Sequence, residues 1–141
     1  MAEIIHQLVI GASLDKVFHA IAKQKGLSCW WTEDVVAENL EGAFAEFRFG
    51  EAYFIKMKIC KLEKNRKVFW ECVEGDDEWM VTRIQFDLEE QGEKTLLKFN
   101  HSDWKEMTDF FAHCNFNWGW YLASLKEYCE TGKGKPFSTN S

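Results

Sequence analysis

The sequence predicts an α+β domain, in which a curved antiparallel sheet of about six or seven strands wraps around a long C-terminal helix, with two short helices after the first strand. Two patterns lead to this fold class. Apolar residues between 103 and 131 recur at helical spacing, and apolar residues between 43 and 101 alternate with a period of two. We assign residues 1–136 to a single domain and residues 137–141 to a polar tail.

The N-terminal end predicts a strand followed by two short helices. Residues 4–10 form an apolar run that is typical of a strand. Ser13 is suited to cap a helix over residues 14–23, whose apolar side chains fall on one face. We expect Gly26 to end that helix and residues 27–31 to form a second short helical turn or bend.

The middle of the chain predicts an antiparallel meander. A weak strand is expected at 34–38, and clearer alternation follows in the segments 43–49, 53–59, 68–73, 80–88 and 95–101. One face of this sheet is apolar and aromatic and the other is largely charged, so the apolar face needs a cover. Because a twisted sheet curls, a straight helix laid across its concave face leaves space between the two layers.

The predicted cover is the C-terminal helix. Asp103 with Glu106 forms a capping box at its start, and Thr108 is a second candidate for the cap. Gly132 then closes the helix at its C-terminal end.

Composition narrows the class of partner. The net charge is −6 and the chain has no basic run, so we expect no nucleic-acid or anionic-membrane partner. No apolar run is long enough to span a bilayer, and no N-terminal signal segment is visible. The five cysteines form no CxxC pair, which is typical of small buried residues in a reduced, cytoplasmic protein. No cofactor or metal is expected, because GxSxG, HExxH and EF-hand patterns are missing from the sequence.

A resemblance to a known family extends over nearly the whole chain. It is carried by Ser13–Phe18, Gly26–Leu27 with Trp30–Trp31, Phe47–Gly50, Val68–Trp70, Trp79 through Thr82 to Phe86, Thr95 through Phe99 to His101 and Trp104, and Gly119–Trp120 through Leu125 and Tyr128 to Gly132. In order and spacing these stretches resemble the SRPBCC superfamily (START-like, Bet v 1-like, helix-grip fold), and within it the bacterial proteins related to the activator of Hsp90 ATPase homologue.

The resemblance implies a helix-grip fold with an internal cavity between the sheet and the long helix. Members of the superfamily bind lipids, polyketides or other apolar molecules in that cavity, and a few catalyse cyclisation. Asp103 departs from the pattern, which favours a small residue or glycine after the histidine.

The aromatic inner face is the predicted ligand site. Each of its residues taken alone is more simply core, but together they fit an apolar pocket with a few polar groups. The predicted ligand-binding residues are Trp30, Trp31, Phe47, Phe49, Met57, Trp70, Thr82, Phe86, Phe99, His101, His113, Asn117, Trp118 and Tyr121. For the polar members the alternative is a buried side chain bonded to a neighbouring group.

Two tryptophan-containing features have two interpretations each. Trp30 and Trp31 either form a lid over the open end of the grip or plug the core. Phe116 and Trp120 project opposite the main apolar stripe of the C-terminal helix. That face either packs under the N-terminal strand and loops or forms an interface, and we predict a homodimer of modest affinity.

Three functions are open at this point. The leading hypothesis is non-catalytic binding of a small, largely apolar molecule. The second is a polyketide cyclase- or aromatase-like enzyme that uses His101 as its acid or base, although no second group is clearly paired with it. The third is an Hsp90 cochaperone, which the resemblance suggests. The resemblance ties that activity largely to a separate N-terminal domain, so we expect that a helix-grip domain need not touch Hsp90.

Overall fold

A seven-stranded antiparallel sheet curves around one long helix in the computed structural model, which describes residues 2–139. The elements are β1 (Ala2–Ile10), α1 (Leu14–Ala22), α2 (Gln24–Trp30), β2 (Asp34–Ala37), β3 (Phe44–Phe49), β4 (Tyr53–Glu63), β5 (Lys67–Glu74), β6 (Arg83–Gln91), β7 (Lys94–Trp104) and α3 (Asp109–Thr131). The predicted fold class is confirmed.

The strands run in the order β1-β7-β6-β5-β4-β3-β2. Strands β2 to β7 therefore form the predicted meander, in which each strand pairs with the next in the chain. The first strand instead joins the last: Ile10 lies opposite Thr95 and Ile4 lies opposite His101 in antiparallel register. This arrangement puts β1 and β2 at the two edges of the sheet.

The two short helices cross so closely that their junction requires a glycine. The Ser13 side chain caps α1 by accepting from the Lys16 N–H at 3.3 Å, as predicted. The prediction that Gly26 ends this helix is wrong, because α1 ends at Ala22 and Gly26 lies inside α2. A Cβ atom at position 26 would come within 2.4 Å of the Ala20 Cα, so close packing explains this glycine.

The N-cap of α3 is Thr108, the second of the two predicted caps. Its Oγ1 accepts a hydrogen bond from the Phe111 N–H at 3.1 Å. The capping box at Asp103 is wrong. Asp103 belongs to β7, has a φ of 68°, and accepts a 3.0 Å hydrogen bond from Arg83 Nη1. Aspartate tolerates the left-handed region better than most residues, so it can stand where the resemblance implied a small residue or glycine. Gly132 ends the helix in a left-handed conformation, as predicted.

The loop between β5 and β6 is longer than the alternation predicted. Strand β6 begins at Arg83 and not at 80, because the chain first makes a turn in which the Thr82 N–H donates to the Trp79 carbonyl at 3.0 Å. Val81 within this turn has a φ of 59°. The loop therefore brings Trp79 back over the concave face, where it is 7% exposed.

The C-terminal segment beyond α3 lies against the β2 side of the molecule. The Phe137 N–H donates to the Trp31 carbonyl at 2.8 Å, and the Glu33 N–H donates to the Phe137 carbonyl at 3.1 Å. Residues 140 and 141 of the predicted tail, and Met1 of the predicted domain, lie outside the described residues. Within residues 2–139, no helix is both long enough and apolar enough to cross a membrane.

Two glycine-to-alanine substitutions should have opposite effects on stability. Gly26→Ala should lower the free energy of unfolding by about 1–3 kcal/mol or more, because the new methyl group overlaps the α1 backbone. Gly119→Ala should raise it by up to about 1 kcal/mol through helix propensity, because the nearest atom, His6 Cε1, lies 3.6 Å from the new Cβ. Urea denaturation at one protein concentration measures both. Equal stabilities for the two variants would contradict the close crossing of α1 and α2.

Candidate functional site

A cavity of about 540 Å³ opens to solvent between the N-terminal half of α3 and one end of the sheet. The β3–β4 turn and the β5–β6 loop form its other sides. Its lining residues are Trp31, Phe49, Gly50, Glu51, Ala52, Tyr53, Phe54, Ile55, Asp76, Trp79, Phe110, His113, Cys114, Asn117, Trp118, Tyr121 and Phe137.

Six of the predicted ligand-binding residues line this cavity: Trp31, Phe49, His113, Asn117, Trp118 and Tyr121. On α3 the spacing is four residues from His113 to Asn117 and three from Trp118 to Tyr121, so one side of the helix presents these side chains together. Phe49 reaches the cavity from the end of β3, where its ring lies 6.3 Å from that of Tyr121.

The other eight predicted residues lie in the packed core beside the cavity and do not line it. None of them is more than 1% exposed: Trp30, Phe47, Met57, Trp70, Thr82, Phe86, Phe99 and His101. The aromatic rings among them fill the space between the sheet and α3. Trp70 and Phe86, for example, make an edge-on contact with 5.2 Å between their ring centroids. Close-packed aromatic rings leave no room for a ligand in this half of the grip.

The two tryptophans at the end of α2, which were predicted either to plug the core or to form a lid, have different positions. Trp30 plugs the core: it is fully buried and its indole N–H donates to the Ala20 carbonyl at 2.8 Å. Trp31 stacks almost parallel to Trp70, at 6.1 Å and 8°, and lines the cavity. Trp31 therefore forms the boundary between core and cavity.

His101 lies at the centre of a buried chain of hydrogen bonds. The Trp118 indole N–H donates to His101 Nδ1 at 3.1 Å, so the ring proton is on Nε2, which donates to Thr82 Oγ1 at 2.8 Å. The Thr82 hydroxyl donates in turn to the Trp79 carbonyl. Burial lowers the pKa of His101 to about 3. The imidazole is thus neutral, has both nitrogens bonded, and does not line the cavity.

Sequence reasoning missed Trp79, which covers one side of the cavity. Its ring stacks on Trp118 at 6.2 Å and 20°, and its indole N–H donates to Cys114 Sγ at 3.4 Å. A signal was present in the sequence, because a tryptophan directly after Asp76, Asp77 and Glu78 is too apolar for a solvated turn. The aromatic residues Tyr53, Phe54, Phe110 and Phe137 of the lining were missed as well.

The polar side chains of the lining include two carboxylates, an imidazole, an amide, two phenols and a thiol. Asn117 Nδ2 lies 3.2 Å from His113 Nε2 on α3. Burial raises the pKa of Tyr121, and it raises the pKa of Cys114 to about 11, with a smaller contribution from the charges of Asp76 and Glu78. The Cys114 thiol is therefore protonated at neutral pH and is a poor nucleophile. Within residues 2–139, no group of three or more histidine, cysteine or acidic side chains could hold a metal ion.

The predicted interface residues lie on the solvent side of α3. Phe116 is 73% exposed and Trp120 is 55% exposed, so the alternative in which they pack under the N-terminal strand is wrong. β1 contacts the helix beside them, where His6 Nε2 lies 3.0 Å from Asn115 Oδ1.

A curved antiparallel sheet that grips a long C-terminal helix and leaves a cavity at one end defines an SRPBCC-type helix-grip domain. Residues 11–130 match the family model described as Activator of Hsp90 ATPase homolog 1-like protein, and the chain belongs to that family.

Solved structures show the same architecture. The solution structure of the Aha1 dimer from Colwellia psychrerythraea is similar with 40% identity and a TM-score of 0.87, covering 95% of this chain and 100% of that chain. The protein SSP2350 from Staphylococcus saprophyticus is similar with 18% identity and a TM-score of 0.79, covering 97% and 100%. CalU16 from Micromonospora echinospora has 19% identity and a TM-score of 0.75, covering 94% and 76%. The last two show the fold alone. A search of the curated proteins finds no match.

The buried His101 should make the protein less stable in acid. Its pKa rises from about 3 in the folded protein to the ordinary value of 6.5 in the unfolded chain, so below pH 6.5 the unfolded chain binds a proton that the folded protein does not. This one group should lower the free energy of unfolding by up to about 1.4 kcal/mol per pH unit as the pH falls through that window.

Urea denaturation of the wild type and His101→Gln at several pH values between about 6.5 and 4.5 measures this slope. The variant is expected to be less stable at neutral pH but to show a flatter pH dependence. Equal slopes for the two proteins would contradict a neutral buried imidazole.

Proposed function

We propose that this protein binds a small, largely apolar molecule in the cavity between α3 and the sheet. The observation that carries the proposal is an aromatic-walled space of about 540 Å³. That volume lies within the range of roughly 300–1,000 Å³ found for pockets that hold drug-sized ligands.

The cavity walls support an apolar occupant. Rings from α3, β3, the β5–β6 loop and the C-terminal segment surround the space, and few polar groups interrupt them. Trp31, Trp79 and Trp118 hold one another in place, with Trp118 lying 5.1 Å from Trp31 and 6.2 Å from Trp79 between ring centroids. A wall made of mutually packed rings is preorganised, so little side-chain entropy is lost when a ligand binds.

Catalysis of the cyclase type has less support. His101, the predicted acid or base, donates one hydrogen bond, accepts another, and is fully buried. A general base must reach the proton that it removes, and His101 does not line the cavity. The observed site is therefore better suited to binding than to proton transfer.

Filling the cavity should weaken binding of an apolar probe. Asn117→Trp places a large ring into the lining from α3 and should weaken binding of N-phenylnaphthylamine, followed by its fluorescence, by about tenfold or more. Asn39→Trp is the matched control, because Asn39 is exposed in the connection between β2 and β3 and does not line the cavity. If the wild type does not bind the probe at micromolar concentration, or if both variants bind it like the wild type, the proposal is wrong.

We also infer that the protein forms a homodimer through a patch on α3 made of Phe116 and Trp120. Ala112 and Ala123 lie exposed beside these rings, and small neighbours allow a second surface to approach closely. Large exposed aromatic side chains are favoured in interface centres. The 40% identical Colwellia protein was solved as a dimer, which supports self-association without identifying the surface used.

A charge placed in this patch should dissociate the dimer. Trp120→Lys is expected to reduce the mass measured by light scattering to that of the 16.6 kDa monomer. The control is Leu40→Lys, which makes the same kind of change at an apolar residue that is 61% exposed in the β2–β3 connection. A monomeric wild type, or a Trp120→Lys variant that keeps the wild-type mass, would contradict the interface.

A further inference from the structure

Acidic side chains outnumber basic ones in the lining of the cavity. Glu51 in the β3–β4 turn and Asp76 in the β5–β6 loop both line it, and within residues 2–139 no lysine or arginine does. Asp77 and Glu78 follow Asp76 in the same loop and add further negative charge nearby. A cleft lined by one sign of charge with low-dielectric walls repels ligands of the same sign.

The charge of the β5–β6 loop acts on the cavity wall itself. The carboxylates of Asp76 and Glu78 both oppose ionisation of Cys114, a buried residue of the lining, in addition to the larger effect of its burial. The nearby cation Arg48 stacks on the Phe54 ring at 4.7 Å, but its guanidinium is paired with Glu46 at 3.3 Å. The positive charge of Arg48 is therefore already paired with a carboxylate.

The N-terminal end of α3 could attract an anion, but acidic and capping groups occupy it. The partial positive charge of a helix dipole lies at the first turn, where backbone N–H groups point outward. Here Thr108 accepts one of those N–H groups and donates its own hydroxyl to Glu78, and Asp109 is the first residue of the helix. These carboxylates cancel the attraction that the helix end would otherwise exert.

The polar groups that remain inside the cavity suit an uncharged ligand. The Asn117 amide and the Tyr121 phenol are neutral hydrogen-bonding groups among aromatic rings. They can bind a carbonyl, hydroxyl or amine of a ligand, but they supply no positive charge to balance a carboxylate or sulfonate. Among residues 2–139, the one lining side chain that can carry such a charge is His113, against the two carboxylates of Glu51 and Asp76.

We propose that the cavity discriminates between ligands by charge. It binds apolar molecules that carry no negative charge more tightly than anions built on the same apolar body, such as fatty-acid carboxylates. This inference rests on the proposed binding function and adds the class of ligand. Glu51 and Asp76 are the residues that determine the discrimination.

Two probes that share one aromatic body test the discrimination. N-phenylnaphthylamine is neutral, and anilinonaphthalene sulfonate is the same skeleton with one sulfonate. At low ionic strength, the full chain should bind the sulfonate at least about tenfold more weakly than the neutral probe. Because the sulfonate is also better hydrated, the decisive measurement is how this ratio changes when the two carboxylates are neutralised.

The double variant Glu51→Gln, Asp76→Asn should raise the affinity for the sulfonate, relative to the affinity for the neutral probe, by about threefold or more. Asparagine at 76 can still accept the Glu78 N–H bond that Asp76 Oδ1 accepts at 2.9 Å, so the loop should keep its fold. The control double variant Glu90→Gln, Glu93→Gln removes the same charge at exposed positions near the β6–β7 turn, outside the cavity lining, and should change neither affinity.

The outcomes separate the two proposals. If the neutral probe binds and the ratio of affinities is the same in the wild type and both variants, charge discrimination is wrong while the binding function stands. Tighter binding of the sulfonate than of the neutral probe by the wild type has the same consequence. If the wild type binds neither probe, the binding function itself fails, and the charge discrimination fails with it.

Discussion

The hydrogen bond from the Trp118 indole to His101 determines how the long helix sits in the sheet. It joins α3 to β7 in the fully buried centre of the molecule and continues through Thr82 to the β5–β6 loop. A buried polar group that lost its partner here would be costly, so helix, sheet and loop are held in one arrangement. Packed rings fill the grip on one side of Trp118, and the cavity lies on the other.

The two periodicities were enough to predict the fold, but they could not divide core from cavity. Phe47 and Phe49 lie on the same face of β3, yet Phe47 is fully buried and Phe49 reaches the cavity. The difference comes from the position of Phe49 at the end of its strand, where the sheet curls away from the helix. Curvature and rotamer choice decide such cases, and neither is encoded in the alternation of apolar and polar residues.

Local signals were ambiguous where distant residues decide the structure. Both Asp103 and Thr108 are good helix caps by residue type, and the choice between them depends on Arg83, which binds the Asp103 carboxylate from the neighbouring strand. Gly26 likewise looked like the end of a helix, although its role is to let α2 approach the backbone of Ala20. In both cases the contact that decides the structure is with a residue outside the few neighbouring positions that a local sequence pattern includes.

The pairing of β1 with β7 has a consequence for synthesis of the chain. β1 is the first of the seven strands of the sheet to be synthesised, and it lacks its neighbour until residues around Thr95 to His101 have followed. At about 5–20 residues per second this delay is on the order of ten seconds. During that time Ile4, Leu8 and Ile10 have no sheet to join, and the nascent chain exposes an apolar strand edge that can aggregate.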